Sequence, residues 1–188
     1  MKTRAKTKIS WKPLLPLLSL AITIAASAAW AHDGEHAAPK PSNASFEQLK
    51  ALAGEWEADG PGGSKMHEQI TLTGGNAVLM ENMFPGTDHA MITMYHPDGK
   101  NLMATHYCAA GNQPRMRSSG LSADGKTLAF NFVDATHLKA GESHMHHIEI
   151  HLLDANHYDA TWTSKGSQPE PPMTFHWTRV ASTASAAQ

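Results

Sequence analysis

The string His144-Met145-His146-His147 places two imidazoles two residues apart. On an extended strand, residues i and i+2 point the same way, about 6.6 Å apart along the chain. His144 and His146 so placed suit a shared zinc ion, as His-x-His pairs do in zinc sites. A third ligand would come from a neighbouring strand: Glu68, His106, His89 or Asp134. Copper is the other candidate metal, since the chain carries 13 His and 10 Met. A strand end that is rich in His and holds no metal is the competing interpretation. The sequence has no C-x-x-C or H-E-x-x-H arrangement to decide between them.

A second set of polar groups lies between His106 and Met116. Gly111-Asn112-Gln113-Pro114 is a turn by composition, so His106, Asn112, Gln113 and Arg115 cluster where two strands meet. Phe84 to His89 reads as another such loop. If both loops lie at one end, His89, His106, Asn112, Gln113 and Arg115 line an entrance. Imidazole, amide and guanidinium groups suit a ligand that bears oxygen atoms. The alternative is that Asn112 and Gln113 bond turn backbone while Arg115 makes a surface ion pair. Cys108 follows His106 by two residues, which makes a Cys–His nucleophile conceivable, although no third orienting group is evident. Met80, Met91, Met94 and Met103 fall inside strands and read as core filling.

These groups need a scaffold, and the hydropathy pattern supplies one. A short helix is expected from Ser45, with Ser45 as N-cap and Gln48 completing a capping box. Phe46, Leu49, Leu52 and Ala53 follow helical spacing, and Gly54 ends the helix. Beyond it the pattern has period two and is cut by turns such as Gly74-Gly75-Asn76, Pro97-Asp98-Gly99 and Asp154-Ala155-Asn156. About ten antiparallel strands result. A meander of that many strands favours closure into an all-β up-and-down barrel, which removes exposed edges. A sandwich is the other solution.

Alternation assigns side chains to faces. It sets Glu68 among Met66, Ile70 and Leu72, and Asn82 among Val78, Met80 and Phe84. Asp134 falls with Leu128, Phe130 and Phe132, and His144 and His146 with Ile148, Ile150 and Leu152. Tyr158, Ala160 and Trp162 share another inner face, as do Phe175 and Trp177. The strands at 90–96 and 101–108 are mixed on both faces and stay unassigned. An interior with this many polar groups is either a paired network or a wetted cavity around a ligand.

Charge excludes some partners. With 15 Lys+Arg, 17 Asp+Glu and a net charge of −2, the chain offers no field for nucleic acid. Residues 1–31 read as a signal peptide: a basic start, an apolar run from Leu14 to Ala29, and Ala29-Trp30-Ala31 as a small-x-small cleavage site. The run is short of the ~20 residues of a membrane span and contains Pro16. An exported protein with a periplasmic or extracellular location is expected, with no membrane span after cleavage. Residues 32–44 read as a flexible lead-in, 45–180 as the barrel and 181–188 as a disordered tail. The single Cys allows no internal disulfide.

Gly54-Glu55-Trp56 after a short helix, with Thr178-Arg179-Val180 closing the last strand, resembles the calycin pattern of lipocalins. The resemblance implies that Arg179 lies over Trp56 at the closed end of the barrel. The strings Phe84 to Met91, Thr105 to Met116 and Phe130 to Thr136 resemble an exported bacterial family of unknown function with a lipocalin-like fold. That likeness implies a barrel and no activity. Nitrobindin-like barrels are a more distant resemblance in build, and no motif carries their haem-ligating His across. The sequence therefore leads to a binding barrel holding a small hydrophobic or amphipathic molecule, with Glu68, Asn82, His89, His106, Asn112, Gln113 and Arg115 as candidate contacts. A metal- or haem-dependent barrel using His106, His144 and His146, possibly enzymatic, is the alternative. Oligomeric state is open.

Overall fold

The computed structural model describes residues 43–168 and 170–181. The expected signal peptide, most of the lead-in and nearly all of the tail lie outside these residues.

One helix, α1 (Ala44–Lys50), precedes ten strands: β1 (Gly54–Asp59), β2 (Lys65–Thr73), β3 (Val78–Met83), β4 (Met91–Asp98), β5 (Asn101–Tyr107), β6 (Gln113–Ser118), β7 (Thr127–Thr136), β8 (His144–Leu152), β9 (His157–Lys165) and β10 (Met173–Arg179). Every strand pairs antiparallel with its sequence neighbour, and β1 pairs with β10 to close the barrel. The expected all-β up-and-down barrel is thus present. Short Gly- and Asn-containing links make it possible. Asn76, Gly74, Gly75 and Gly99 all adopt positive φ at hairpin turns.

The helix starts differently from expectation. Asn43, not Ser45, is the N-cap: its side chain accepts from the Phe46 backbone N–H at 3.1 Å. Ser45 instead accepts from the backbone N–H of Leu121 at 3.0 Å, which ties the helix to the β6–β7 link. Asn43 also donates to Gly99 and Asn101 carbonyls. Phe46, Leu49 and Leu52 are buried, so α1 plugs one end of the barrel.

Trp56 and Arg179 finish that plug. Trp56 is fully buried and donates from Nε1 to the Leu52 carbonyl at 2.8 Å. The Arg179 guanidinium lies 4.1 Å from the Trp56 ring centroid. Its nitrogens donate to the carbonyls of Ala51, Ala53 and Ala155 at 2.7, 2.8 and 2.9 Å. One side chain thereby joins α1, β1, the β8–β9 link and β10, and it uses the planar fork that only Arg offers. Gly54 is required here. Its φ is +148°, and a Cβ would sit 2.4 Å from Arg179 Nη1. Gly54→Ala should therefore cost about 2 kcal/mol or more in denaturant unfolding. The cost should shrink in an Arg179→Ala background, where the clash is gone but the backbone strain stays.

Candidate functional site

At the end opposite α1, the links β1–β2, β3–β4, β5–β6, β7–β8 and β9–β10 surround an opening. A cavity of about 590 Å3 runs inward from it. Its walls are mostly apolar: Met66, Met83, Met91, Met145, Met173, Phe84, Phe175 and Trp162. Asp59, Lys65, His67 and His89 stand at the rim, and His106 belongs to the lining as well. The size and lining are those of a small-molecule site.

Local chain geometry explains the apolar mouth. Phe84 leaves β3 with φ of +55°, an uncommon value for a bulky residue. This turns its ring toward Phe175, 5.8 Å away between centroids. Five flexible thioethers make the remaining surface adaptable.

His106 is the polar feature of the lining. It is 1% exposed, and Nδ1 lies 3.0 Å from Thr93 Oγ1. Its ring packs against Trp162 at 4.8 Å. Burial pushes the imidazole down to about 4, so it is neutral at pH 7. Among the described residues, Nε2 has no hydrogen-bond partner, and neither does Nε1 of Trp162.

Deeper in the barrel lies a carboxyl pair. Glu68 on β2 and Glu81 on β3 are 0% and 3% exposed. Glu81 pairs in register with Ile70, which makes it a diagonal neighbour of Glu68 on the same inner face. Tyr158 donates its hydroxyl to Glu68, and Tyr95 donates to Glu81 at 2.8 Å. Burial raises both carboxyl groups, Glu81 to about 7, and the neighbouring Glu81 raises Glu68 further. Burial and the adjacent carboxyls also push both tyrosines well above the usual phenol value. Glu81, Thr93 and His106 are register partners across β3, β4 and β5, and Thr93 Oγ1 meets His106 Nδ1 at 3.0 Å.

Several residues singled out in the sequence stand elsewhere. Asn82 faces outward. The inner residues of β3 are Leu79, Glu81 and Met83, the reverse of the expected face, and Asn82 pairs with the outward Gln69. Asp134 is also outward. A register shift between Arg115 and Met116 leaves Val133 as an extra residue and turns Asp134 over. There Arg115 grips it through two bonds of 2.6 and 2.5 Å. Asn112 is buried but donates to the Ser143 carbonyl at 3.0 Å. Gln113 bonds the Gly111 carbonyl and accepts from Thr136. None of these three lines the cavity, so only His89 and His106 of the expected entrance cluster do.

His144 and His146 are displaced by a second bulge. The β8–β9 register skips His146, so Met145 faces the interior and lines the cavity in its place. The two imidazoles stack around Phe132, half-buried, with His144 Nε2 3.3 Å from His146 Nδ1. Neither Glu68 nor His106 joins them. Among the described residues, no three His, Cys, Asp or Glu side chains come together as a metal cage. Cys108 is half-buried at the β5–β6 turn and does not line the cavity.

Glu81, Thr93, Tyr95 and Trp162 are the polar site residues that sequence reasoning did not select. Trp162 carried a signal, since its strand alternates cleanly. Glu81 and Thr93 lie in strands whose two faces are both apolar.

No protein-family model matches the chain, and no curated protein is significantly similar to it.

Proposed function

We propose that this chain is an exported binding barrel that takes a small hydrophobic or amphipathic molecule into its interior. The observation that carries this reading is the Met-, Phe- and Trp-lined cavity, open at one end only by virtue of the α1 plug at the other. An apolar space of this size gains little by staying hydrated, and an apolar guest gains by leaving water. Net charge near neutrality argues against a nucleic-acid partner.

A metal- or haem-dependent barrel is the second reading. Its support is the Nε2 of His106, which has no partner among the described residues, on a residue that lines an apolar space. His144 and His146 stand outside the cavity, and the other imidazoles of its lining, His67 and His89, stand at the rim.

Titration with N-phenyl-1-naphthylamine, a neutral apolar fluorophore, tests the first reading. We expect a single saturable site, blue-shifted emission and energy transfer from tryptophan. Met91→Trp, which fills the mouth, should weaken uptake at least about tenfold. Uptake that is absent, or equal in the Met91→Trp protein, would overturn the reading. A Soret band in the purified protein would move it to haem.

A further inference from the structure

The bulge in β8 builds a pair of imidazoles that the cavity does not use. The register shift between Met145 and His147 leaves His144 and His146 out of the lining, and both rings pack on Phe132 at 4.8 Å between centroids. His144 Nε2 and His146 Nδ1 then meet at 3.3 Å. Bulges of this kind re-aim side chains beside functional sites.

The tautomer of His144 is set by its backbone partner. Nδ1 lies 3.2 Å from the Glu142 carbonyl, which can only accept, so Nδ1 carries the proton and Nε2 a lone pair. A carbonyl on the far nitrogen is also how metal-bound histidines are oriented. The segment that supplies it is braced. Ser167 donates from its backbone N–H and its Oγ to the Gly141 carbonyl at 3.0 and 2.7 Å, and the buried Asn112 donates to the Ser143 carbonyl at 3.0 Å. Both rings are half-buried rather than enclosed, and His144 borders a surface depression with Glu142, Lys165 and Ser167.

The spacing points to the ion. Two nitrogens bound to one zinc at about 2.0–2.1 Å with a tetrahedral angle lie about 3.3–3.4 Å apart. A square-planar copper(II) ion needs them closer, at about 2.8–2.9 Å. We infer that His144 Nε2 and His146 Nδ1 hold a zinc ion at the open end of the barrel, outside the apolar cavity, with water completing the tetrahedron. Without the ion, His146 Nδ1–H donates to His144 Nε2. With it, zinc takes the place of that proton, and the His146 ring carries its hydrogen on Nε2 instead. Lys165, the register partner of His144, places a positive charge nearby, so the affinity is modest. The site is independent of whether a guest enters the barrel.

Calorimetric titration of the untagged protein with zinc chloride tests this at about pH 7.5, where ordinary imidazoles are neutral. The tightest site should weaken at least about tenfold in His144→Ala and in His146→Ala. It should stay within about threefold in His147→Ala, whose ring is turned to Asn131 at 3.0 Å. Nitrogen-15 spectra of the imidazoles give a second reading on the unaltered protein: zinc should shift Nε2 of His144 and Nδ1 of His146. No zinc binding, binding that either alanine variant keeps within about threefold, or shifts confined to other histidines would overturn the site.

Discussion

Glu81→Gln should gain about 3 kcal/mol of folding stability relative to the unaltered protein as pH rises from about 4.5 to about 7. The sign follows from burial. In the unfolded chain Glu81 ionises near 4.5, whereas in the barrel it holds its proton up to about 7. Its contribution is therefore fully present below 4.5 and is lost as pH climbs through 7. Glutamine cannot ionise, and it still accepts from Tyr95, so the variant escapes that loss. Glu68 is raised too, chiefly by burial and then by Glu81, so stability should keep falling on the alkaline side. His106 works in the opposite direction. Its folded value of about 4 lies below the ordinary 6.5, so its contribution is present above 6.5 and lost as pH falls toward 4. The two effects oppose each other across the mildly acidic range, and the intact protein should have a flat profile there. Urea unfolding at several pH values in both proteins reads the difference. Parallel profiles would show that Glu81 titrates normally and that burial does not hold its proton.

Trp56→Ala should cost about 3–5 kcal/mol, a large part of a domain's usual stability. The indole fills the plugged end with no exposure, stands edge-on to Tyr158 at 4.7 Å and sits under Arg179. Removing it leaves a void among side chains that cannot collapse into it, since α1, β1 and β10 are tied by Arg179. Trp56→Phe retains most of the packing and orphans the Leu52 carbonyl, so about 1–2 kcal/mol is expected. Thermal and urea unfolding measure both. A loss under 1 kcal/mol for the alanine variant would mean that the plug is not structural.

Much of this scaffold was legible in the residues because a closed meander repeats one rule. Each strand alternates, and each link is short and rich in Gly, Asn or Asp, so strand count and antiparallel order follow together. Glu68 could be placed because Met66 and Ile70 flank it while its outer neighbours, His67 and Gln69, are polar. His106 offered no such contrast. β3 failed for the same reason: Val78, Leu79, Met80 and Met83 give both faces apolar residues, so Glu81 and Asn82 were equally eligible for the interior. The burial of β3 is settled by its partners, since Glu81 needs Tyr95 and Asn82 does not. Asp134, His144 and His146 were misplaced by bulges. A bulge inverts every side chain beyond it and leaves no compositional trace in one sequence. The helix cap was missed by two residues because Ser45 and Asn43 are both good caps, and only the contact of Ser45 with Leu121 removes it from that role.

The entry of an apolar guest into the barrel is the claim on which the rest depends. A crystal grown with 1-bromodecane tests it directly, through the anomalous signal of bromine. The account predicts a bromine site and continuous chain density enclosed by Met83, Met91, Phe175 and Trp162. A well-ordered crystal with those side chains packed against one another, and bromine found only on the outer surface, would contradict it.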